Sequence, residues 1–386
     1  MSEGAASAVA ASPLTTARRV VVKIGSALLI DEVGDVRTDW LSGIAEDVAE
    51  MRARGQGVAI VSSGAVALGR RKLGLTGKLR LEEKQAAAAA GQSELIHAYE
   101  AALRPHGVKT GQLLLTLDDA ENRRRYLNAR ATFRVLMELG AAPIVNENDT
   151  IATAEIRYGD NDRLAAHVAQ MAGAECLVLL SDIDGLYSSD PRADVAAQFV
   201  PEVTAVTPEI EAMAGVANPA SGVGTGGMAT KLVAAKIALN AGCAMAIAQG
   251  DRVRPLAALW RGERCTWFRP SVSPRTARKT WIAGRLKPQG TLRVDAGAQK
   301  ALSGGASLLP AGVTAVEGAF RRGDAVRIED ASGEAFAVGL AAFDAPDARR
   351  IAGRKSADIQ GILGYQGRPA MVDHDDLVIF ADAGEG

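Results

Sequence analysis

A chain of 386 residues, 48% of them hydrophobic, is long for a single domain and can build two buried cores. Its formal net charge of −1 gives no overall basic field, which argues against a general nucleic-acid binder. No segment approaches the roughly 18 uninterrupted apolar residues of a membrane span, so we expect no transmembrane helix.

The N-terminal segment and the cysteines indicate the compartment. Residues 1–17 are mostly small and polar and lack the regions of a secretory signal, so we expect a disordered tail there. The three cysteines and the histidines have no spacing typical of metal ligands, and we predict no metal site built by the chain. Two of the cysteines lie in or beside apolar runs, which favours reduced thiols and a cytoplasmic protein. The three are Cys176, Cys243 and Cys265.

Six short runs rich in apolar and β-branched residues recur along the first two thirds of the chain. Each is nearly continuous in apolar residues, which is typical of strands covered on both faces. Helical stretches separate them, such as the one ending at Gly55, for which we expect Thr38 to be the cap. This alternation predicts an α/β fold with an open, mostly parallel sheet and helices on both faces. The runs are Arg19–Gly25, Gly57–Gly64, Thr110–Thr116, Ala142–Asn148, Cys176–Asp182 and Ala244–Gly250.

The pattern changes after about Pro270. Residues 271–288 are rich in Pro, Arg, Ser and Thr, and we interpret them as a linker. From residue 289 to 380 the apolar segments become short and are separated by glycines, which predicts a small β-rich domain. The larger domain then covers residues 18–270.

Polar residues follow several of the predicted strands of the larger domain. In open α/β sheets the ligand lies beyond the carboxyl ends of the strands, so these residues are candidates for a site. They are Lys23 and Gly25, Ser62 to Gly64, Asn146 to Asp149, and Ser181 with Asp182.

The stretch from Ser221 to Leu239 opens with glycines, continues into a predicted helix, and carries Lys231 near the helix start. Glycine N–H groups and a helix N-terminus bind anions, and a nearby lysine suits a phosphate. Gly222, Gly224 and Gly227 also fit the dinucleotide fingerprint, but no strand-like run precedes them. A flexible surface loop is the simpler alternative.

Two further features need a partner. Lys23 lies in an apolar run, where its charge must be matched, unless the side chain reaches solvent at the strand end. Asp160, Asn161 and Asp162 precede a predicted helix, and capping explains only one of them.

Two lysines, glycine loops and an aspartate, with no nucleophile–base pair, indicate phosphoryl transfer. A carboxylate acceptor has a pKa of about 4.3 and needs no general base, while lysines and Mg²⁺ offset the repulsion between the anions.

Five motifs, in this order, resemble the glutamate 5-kinases of the amino acid kinase superfamily, which make γ-glutamyl phosphate from ATP and L-glutamate in the first step of proline biosynthesis. They are VVKIGSALL, VSSGAVALG, NENDTIATAEIRYGDNDRLAA, LLSDIDGLYSSDPR and GTGGMATK. The segments VDAGAQKAL, GASLLPAGV, FRRGDAVRI and ILGY resemble the PUA domain of many bacterial members. The resemblance covers about Arg19 to Val378 and implies the amino acid kinase fold followed by a PUA domain.

The resemblance also implies roles for individual residues. Lys23, Lys231 and Asp162 match the catalytic positions, with Asp162 holding both lysines in place. Ser181 stands where threonine is common, and Ala229 replaces a frequent serine. The glutamate-binding positions are Ser63, Asp149 and Asn161, and the ATP-binding positions are Lys23, Ser181, Asp182, Thr225, Gly226, Gly227, Met228, Ala229, Thr230 and Lys231. ATP and Mg²⁺ are the implied cosubstrate and cofactor, and no protein metal ligand is assigned.

The same resemblance suggests partners and leaves alternatives. It implies a homo-oligomer (a dimer or tetramer), proline as a candidate feedback inhibitor, and γ-glutamyl phosphate reductase as a candidate partner. One alternative is another amino acid or carboxylate kinase. Another is RNA binding through the PUA domain, which the 11 basic and 14 acidic residues from Lys287 to Gly386 disfavour.

Overall fold

The chain is described here from a computed structural model, which places residues 12–151, 161–215, 227–285 and 287–380. Its contacts divide the chain into two units, Met1–Pro274 and Arg275–Gly386. In the first unit the strands are β1 (Arg19–Ile24), β2 (Gly57–Ser62), β3 (Lys109–Leu115), β4 (Ala141–Glu147), β5 (Cys176–Ser181), β6 (Leu186–Tyr187), β7 (Phe199–Val200), β8 (Glu202–Val203), β9 (Ala244–Gln249) and β10 (Cys265–Phe268). The helices are α1 (Pro13–Thr16), α2 (Ser26–Leu29), α3 (Thr38–Ala53), α4 (Ala65–Lys72), α5 (Leu81–Leu103), α6 (Leu117–Glu121), α7 (Arg123–Glu138), α8 (Asn161–Ala172), α9 (Pro208–Ala212), α10 (Met228–Asn240) and α11 (Pro255–Trp260).

Within the described residues, eight strands of the first unit form one sheet in the order β3-β4-β2-β1-β5-β9-β10-β8. Strand β1 pairs in parallel with β2 on one side and with β5 on the other. Strand β10 runs antiparallel to β9, so the sheet is mostly, not wholly, parallel. The predicted α/β architecture and all six predicted strands are confirmed.

Both faces of this sheet are buried, which explains the continuous apolar runs. In β1, Val20, Val22 and Ile24 pack in the core on one face, together with residues of α3 and α5. Val21 packs in the core on the other face, with residues of α8 and α10. Because side chains alternate along a strand, Lys23 lies on the same face as Val21. The chain thus directs this lysine toward α8 and α10.

Helices α4 and α5 are in backbone contact through two glycines. A Cβ atom at Gly69 would lie 1.7 Å from the carbonyl oxygen of Ala87, and one at Gly91 would lie 1.9 Å from that of Ala65. No side chain larger than hydrogen fits at either position. Gly64, with φ +110°, turns the chain from β2 directly into α4. The end of β2 and the middle of α5 are therefore held close together.

The second unit is a small domain with its own core. Its strands are β11 (Gly290–Val294), β12 (Val313–Gly318), β13 (Ala325–Glu329), β14 (Ala335–Leu340) and β15 (Leu377–Ile379), in the sheet order β12-β11-β13-β14-β15. Its helices are α13 (Ala296–Ser303), α14 (Ala345–Ile351) and α15 (Ile359–Leu363), and α12 (Pro274–Arg285) begins at the boundary between the units. The predicted β-rich character is confirmed. Nowhere in the described parts of either unit does a helix combine the length and hydropathy needed to cross a membrane.

Three local predictions need correction. The expected tail is not disordered from residue 13, because Leu14 in α1 is fully buried and Gln56 donates hydrogen bonds to the carbonyls of Leu14 and Ala17. The expected linker contains the helix α12, which buries Ile282. Proline at the first helical position and the apolar spacing of that segment favour this helix. Thr38 is the first helical residue of α3 rather than its cap.

Candidate active site

A buried ion-pair cluster lies at the carboxyl edge of the sheet. Lys23 Nζ is 2.6 Å from Asp162 Oδ1, and Lys231 Nζ is 3.1 Å from Asp162 Oδ2. Asp162 is 0% exposed, and both lysines are buried. One carboxylate therefore bridges two ammonium groups, and this Lys–Asp–Lys cluster has a formal charge of +1. An excess of positive charge in a buried place attracts an anion, because low dielectric strengthens the interaction.

Three elements bring this cluster together. Lys23 is near the end of β1, Asp162 is in the first turn of α8, and Lys231 is in the first turn of α10. Helix α8 leads into the parallel strand β5 and α10 leads into β9, so both helices end at the amino edge of the sheet and begin at its carboxyl edge. Their unpaired N–H groups add to the positive potential. The edge can accordingly hold phosphate oxygens.

Beside the cluster, the amide of Asn161 connects the ends of two strands, β2 and β4. Its Nδ2 donates to Ser62 O at 2.7 Å, to Ser63 Oγ at 2.9 Å and to Asn146 Oδ1 at 3.0 Å. Ser62 also accepts a hydrogen bond from the hydroxyl of the fully buried Tyr99. These contacts fix the position of the side chain that immediately precedes Asp162.

Two carboxyl groups follow on β4 and its end. Burial, and then the charge of Asp149, raises the pKa of Glu147 to about 8, and Glu147 is 8% exposed. Burial raises the pKa of Asp149 to about 6. Across the described residues, neither carboxyl forms an ion pair with a lysine or arginine. A buried carboxylate without a cation is costly, and a ligand ammonium would relieve that cost.

Ser181 and Asp182 lie where β5 ends. Ser181 is buried and donates to Asp182 Oδ1 at 3.1 Å, and Asp182 Oδ2 is 2.6 Å from Arg192 Nη2. Burial acts to raise the pKa of Asp182, and the hydrogen bonds from Arg192 and Ser181 outweigh it, so that this pKa is lowered. Asp182 is thus held ionised, and its outer side is solvent-exposed.

The start of α10 holds part of the glycine motif. Gly227 is at the N-cap position, Met228, Ala229 and Thr230 precede Lys231 in the first turn, and Thr230 Oγ1 donates to Gly227 O at 2.8 Å. Thr225 and Gly226 lie outside the described residues, as do Asp160 and the first two glycines of the dinucleotide pattern, Gly222 and Gly224.

The structure thus brings Lys23, Asp162 and Lys231 together, and it places Asn161 beside Ser63. Sequence reasoning missed Gln92, which accepts from Asn146 Nδ2 at 2.9 Å. Its only signal in the sequence is a polar side chain next to Gly91 in an alanine-rich helix. It also did not single out Glu147 from the range Asn146 to Asp149, although an acidic residue at the end of an apolar run is a signal in the sequence.

Comparison with known proteins fits this geometry. Residues 18–249 match the amino acid kinase family, and residues 290–363 match the PUA domain. The open sheet, its lysine-lined edge and these matches define a phosphotransferase of the amino acid kinase family.

Individual relatives are more specific. The glutamate 5-kinase of Paramagnetospirillum magneticum is 60% identical over 369 residues, covering 95% of this chain and 99% of that protein. The glutamate 5-kinase of Caulobacter vibrioides is 60% identical over 365 residues, covering 94% and 97%. Glutamate 5-kinase 1 of Rhizobium meliloti is 59% identical over 368 residues, covering 95% and 93%. The chain belongs to the glutamate 5-kinases.

Proposed function

We propose that this protein transfers the γ-phosphoryl group of ATP to the γ-carboxylate of L-glutamate, giving L-glutamyl 5-phosphate, the first step of proline biosynthesis. The observation that carries the proposal is the buried Lys–Asp–Lys cluster on the same sheet edge as the amide of Asn161 and the carboxyl group of Glu147 at the end of β4. The phosphates of a nucleotide are bound by positive charge, and the ammonium and carboxylate groups of an amino acid are bound by acidic and hydrogen-bonding side chains.

In this proposal the two lysines are catalytic. A carboxylate oxygen of glutamate attacks the γ-phosphorus while the bond from that phosphorus to the ADP oxygen breaks, and no proton has to move. The barrier is the charge that accumulates between acceptor and donor. Lys23 and Lys231 stabilise this charge, while Asp162 holds both ammonium groups at fixed positions.

The amino acid is bound at the neighbouring pocket. Asp149 pairs with the ammonium of glutamate, and Asn161 and Ser63 provide hydrogen-bonding atoms beside it. ATP lies along Ser181, Asp182 and the start of α10, where Gly227 to Thr230 offer backbone N–H groups, and Thr225 and Gly226 complete this set in the proposal.

Mg²⁺ enters as part of the nucleotide complex. Both oxygens of Asp162 already contact lysines, so this carboxylate does not suit a cation. Mg²⁺ is commonly bound by substrate phosphates with one or two carboxylates, and its chemistry here is neutralisation of phosphate charge. Of the residues this edge provides, Asp182 has a carboxylate with a solvent-exposed side, and it is the proposed one.

The remaining assignments rest on the family. We include a cytoplasmic homo-oligomer, inhibition by proline, and delivery of the acyl phosphate to a γ-glutamyl phosphate reductase, because acyl phosphates hydrolyse readily. RNA binding by the PUA domain is not part of the proposal, since the residues from Lys287 to Gly386 include 11 basic and 14 acidic side chains.

A hydroxylamine trap tests the proposed function. The protein is incubated with ATP, Mg²⁺ and hydroxylamine, together with L-glutamate, N-acetyl-L-glutamate or L-aspartate in parallel. We expect hydroxamate from L-glutamate alone. Hydroxamate from a different acid would retain the reaction and replace the substrate, and no hydroxamate from a folded protein would overturn the proposal.

A further inference from the structure

Three side-chain amides form a hydrogen-bonded chain that runs from α5 to the first residue of α8. Asn146 Nδ2 donates to Gln92 Oε1 at 2.9 Å, and Asn161 Nδ2 donates to Asn146 Oδ1 at 3.0 Å. Gln92, the outer member, lies on α5 and belongs to none of the strand ends that form the site. This position raises the question of what Gln92 contributes.

Backbone groups fix the direction of every bond in this chain. The carbonyl of Ser62 can only accept, so the atom of Asn161 that faces it is Nδ2. The N–H of Glu147 can only donate, at 2.8 Å, so the atom of Asn146 that faces it is Oδ1. The nitrogen of Asn146 then faces Gln92, whose facing atom is therefore the acceptor Oε1.

The consequence for Asn161 is a single side-chain orientation. Its Nδ2 faces three oxygens within 3.0 Å, all of them from the chain itself. Its Oδ1 is then the atom left to accept a hydrogen bond from a bound molecule. A substrate ammonium is a strong donor, and it binds a fixed acceptor better than one that must first be oriented.

The helix that carries Gln92 is well suited as an anchor. Gly91, the preceding residue, is in backbone contact with α4, and α4 begins at Ala65, two residues after Ser63. Gln92 and Ser63 are therefore attached to the same closely packed pair of helices, and each holds the amide network from its own side.

We propose that Gln92 is a positioning residue for the amino-acid substrate: through Asn146 it adds to the hold that the carbonyl of Ser62 has on the amide of Asn161, whose Oδ1 faces the substrate ammonium. This inference rests on the proposed function. Gln92 touches neither the phosphate nor the lysines in this scheme, so its removal weakens amino-acid binding and leaves the phosphoryl-transfer step intact.

The first test compares Gln92→Met, which has a similar length and no strong acceptor, with Gln92→Glu, which keeps an acceptor oxygen. We expect Gln92→Met to raise the KM for glutamate about tenfold, the effect of one lost hydrogen bond, with kcat and the KM for ATP nearly unchanged. Gln92→Glu should restore most of the affinity. Ser93→Ala, at an exposed position of the same helix, is the matched control.

A second test decides whether Gln92 acts through Asn146. In an Asn146→Ala background, Gln92→Met should add no further loss, because the link is already broken. In an Asn146→Asp background, Gln92→Glu should lose much more affinity than it does alone, because two carboxylates then face each other. The combination of Asn146→Asp with Gln92→Glu decides whether Gln92 acts through Asn146 even if Gln92→Met does not fold.

Several results would overturn the inference: an unchanged KM for glutamate in Gln92→Met, equal losses for glutamate and ATP, or additive losses with Asn146→Ala. Thermal unfolding of each variant separates these results from a general loss of stability. The wild-type hydroxamate assay is read first. If the wild type makes no hydroxamate from glutamate, the proposed function fails. If the wild type is active and the variants are normal, only the role of Gln92 fails.

Discussion

Two places at one edge of the sheet contain acidic side chains, and they differ in how the negative charge is balanced. Asp162 has its countercharges within the chain, with a lysine on each oxygen. Glu147 and Asp149 have raised pKa values because burial is not offset by any cation of the described residues. The three side chains of the first place, two lysines and one aspartate, have a formal charge of +1, which suits an anionic ligand. The second lacks a positive charge that a ligand can bring. In the proposed function, each place thus carries the charge complementary to one of the ligand groups, the phosphates of ATP or the ammonium of glutamate.

The largest expected effect comes from removing a lysine from the first place. Lys231→Ala should lower kcat by about 10²–10³, because one of two groups that stabilise the transferring charge is lost. Steady-state hydroxamate formation measures it. Lys236→Ala is the matched control, since Lys236 lies on the same helix, is exposed and pairs with Glu211. A normal kcat in Lys231→Ala would remove this residue from the proposed chemistry.

The second place should respond in KM rather than in kcat. Asp149→Asn keeps the size of the side chain and removes its charge, so we expect the KM for glutamate to rise roughly 10- to 100-fold. The KM for ATP should stay near that of the wild type. Thr150→Ala, at the neighbouring exposed position, serves as control. Equal changes in both KM values would show that Asp149 does not act specifically on the binding of glutamate.

The pH dependence of wild-type activity should report the ionisation of the same carboxyl group, that of Asp149. The pKa of Asp149 is raised to about 6, so its charge disappears as the pH falls through this value in the ligand-free protein. We therefore expect kcat/KM for glutamate to fall below pH about 6 and to be flat above it as far as this group is concerned. In Asp149→Asn this step should be absent. A profile with the same step in both proteins would assign it to another group.

The smallest effect is expected for Glu147→Gln, and it concerns stability. The folded-state pKa of about 8 lies above the ordinary 4.5, so the folded protein holds this proton more tightly than the unfolded chain. That contribution is complete below pH about 4.5 and is lost as the pH rises to about 8. Ligand-free Glu147→Gln should therefore unfold at a higher temperature than the wild type at pH 8, with a smaller difference at pH 5.

Thermal scans at the two pH values measure this difference, and Glu138→Gln, at an exposed helix position, is the control. A variant less stable than the wild type at pH 8 would mean that Glu147 has a stabilising partner.

The sequence predicted the sheet well, because a strand buried on both faces shows as a continuous apolar run. It also indicated that Lys23 needs a countercharge, since burial of an unpaired charge is costly. The helix α12 was missed because its basic residues obscured a short apolar stripe. The tail was misjudged because one buried leucine, Leu14, is enough to fix a single helical turn.

The contacts between residues within the site, unlike the strands, could not be predicted from local sequence patterns. Lys231 and Asp162 are 69 residues apart, and Asn161 and Ser63 are 98 apart, so no local pattern connects them. Only the parallel topology, which collects helix starts and strand ends at one edge, brings them into contact. Family resemblance suggested roles for these residues in advance, and it gave no indication of Gln92, whose proposed contribution depends on the direction of the hydrogen bonds.

The adjacency of Asn161 and Asp162 has a thermodynamic consequence. The first residue of α8 belongs to the amide network, and the second belongs to the lysine cluster. A ligand that steadies one of them steadies the turn that carries the other. In the proposed function we therefore expect the substrate that binds first to meet part of the ordering cost, so that the second binds more tightly. The two affinities would then be linked through one helical turn, and by reciprocity each substrate would strengthen the binding of the other by the same factor.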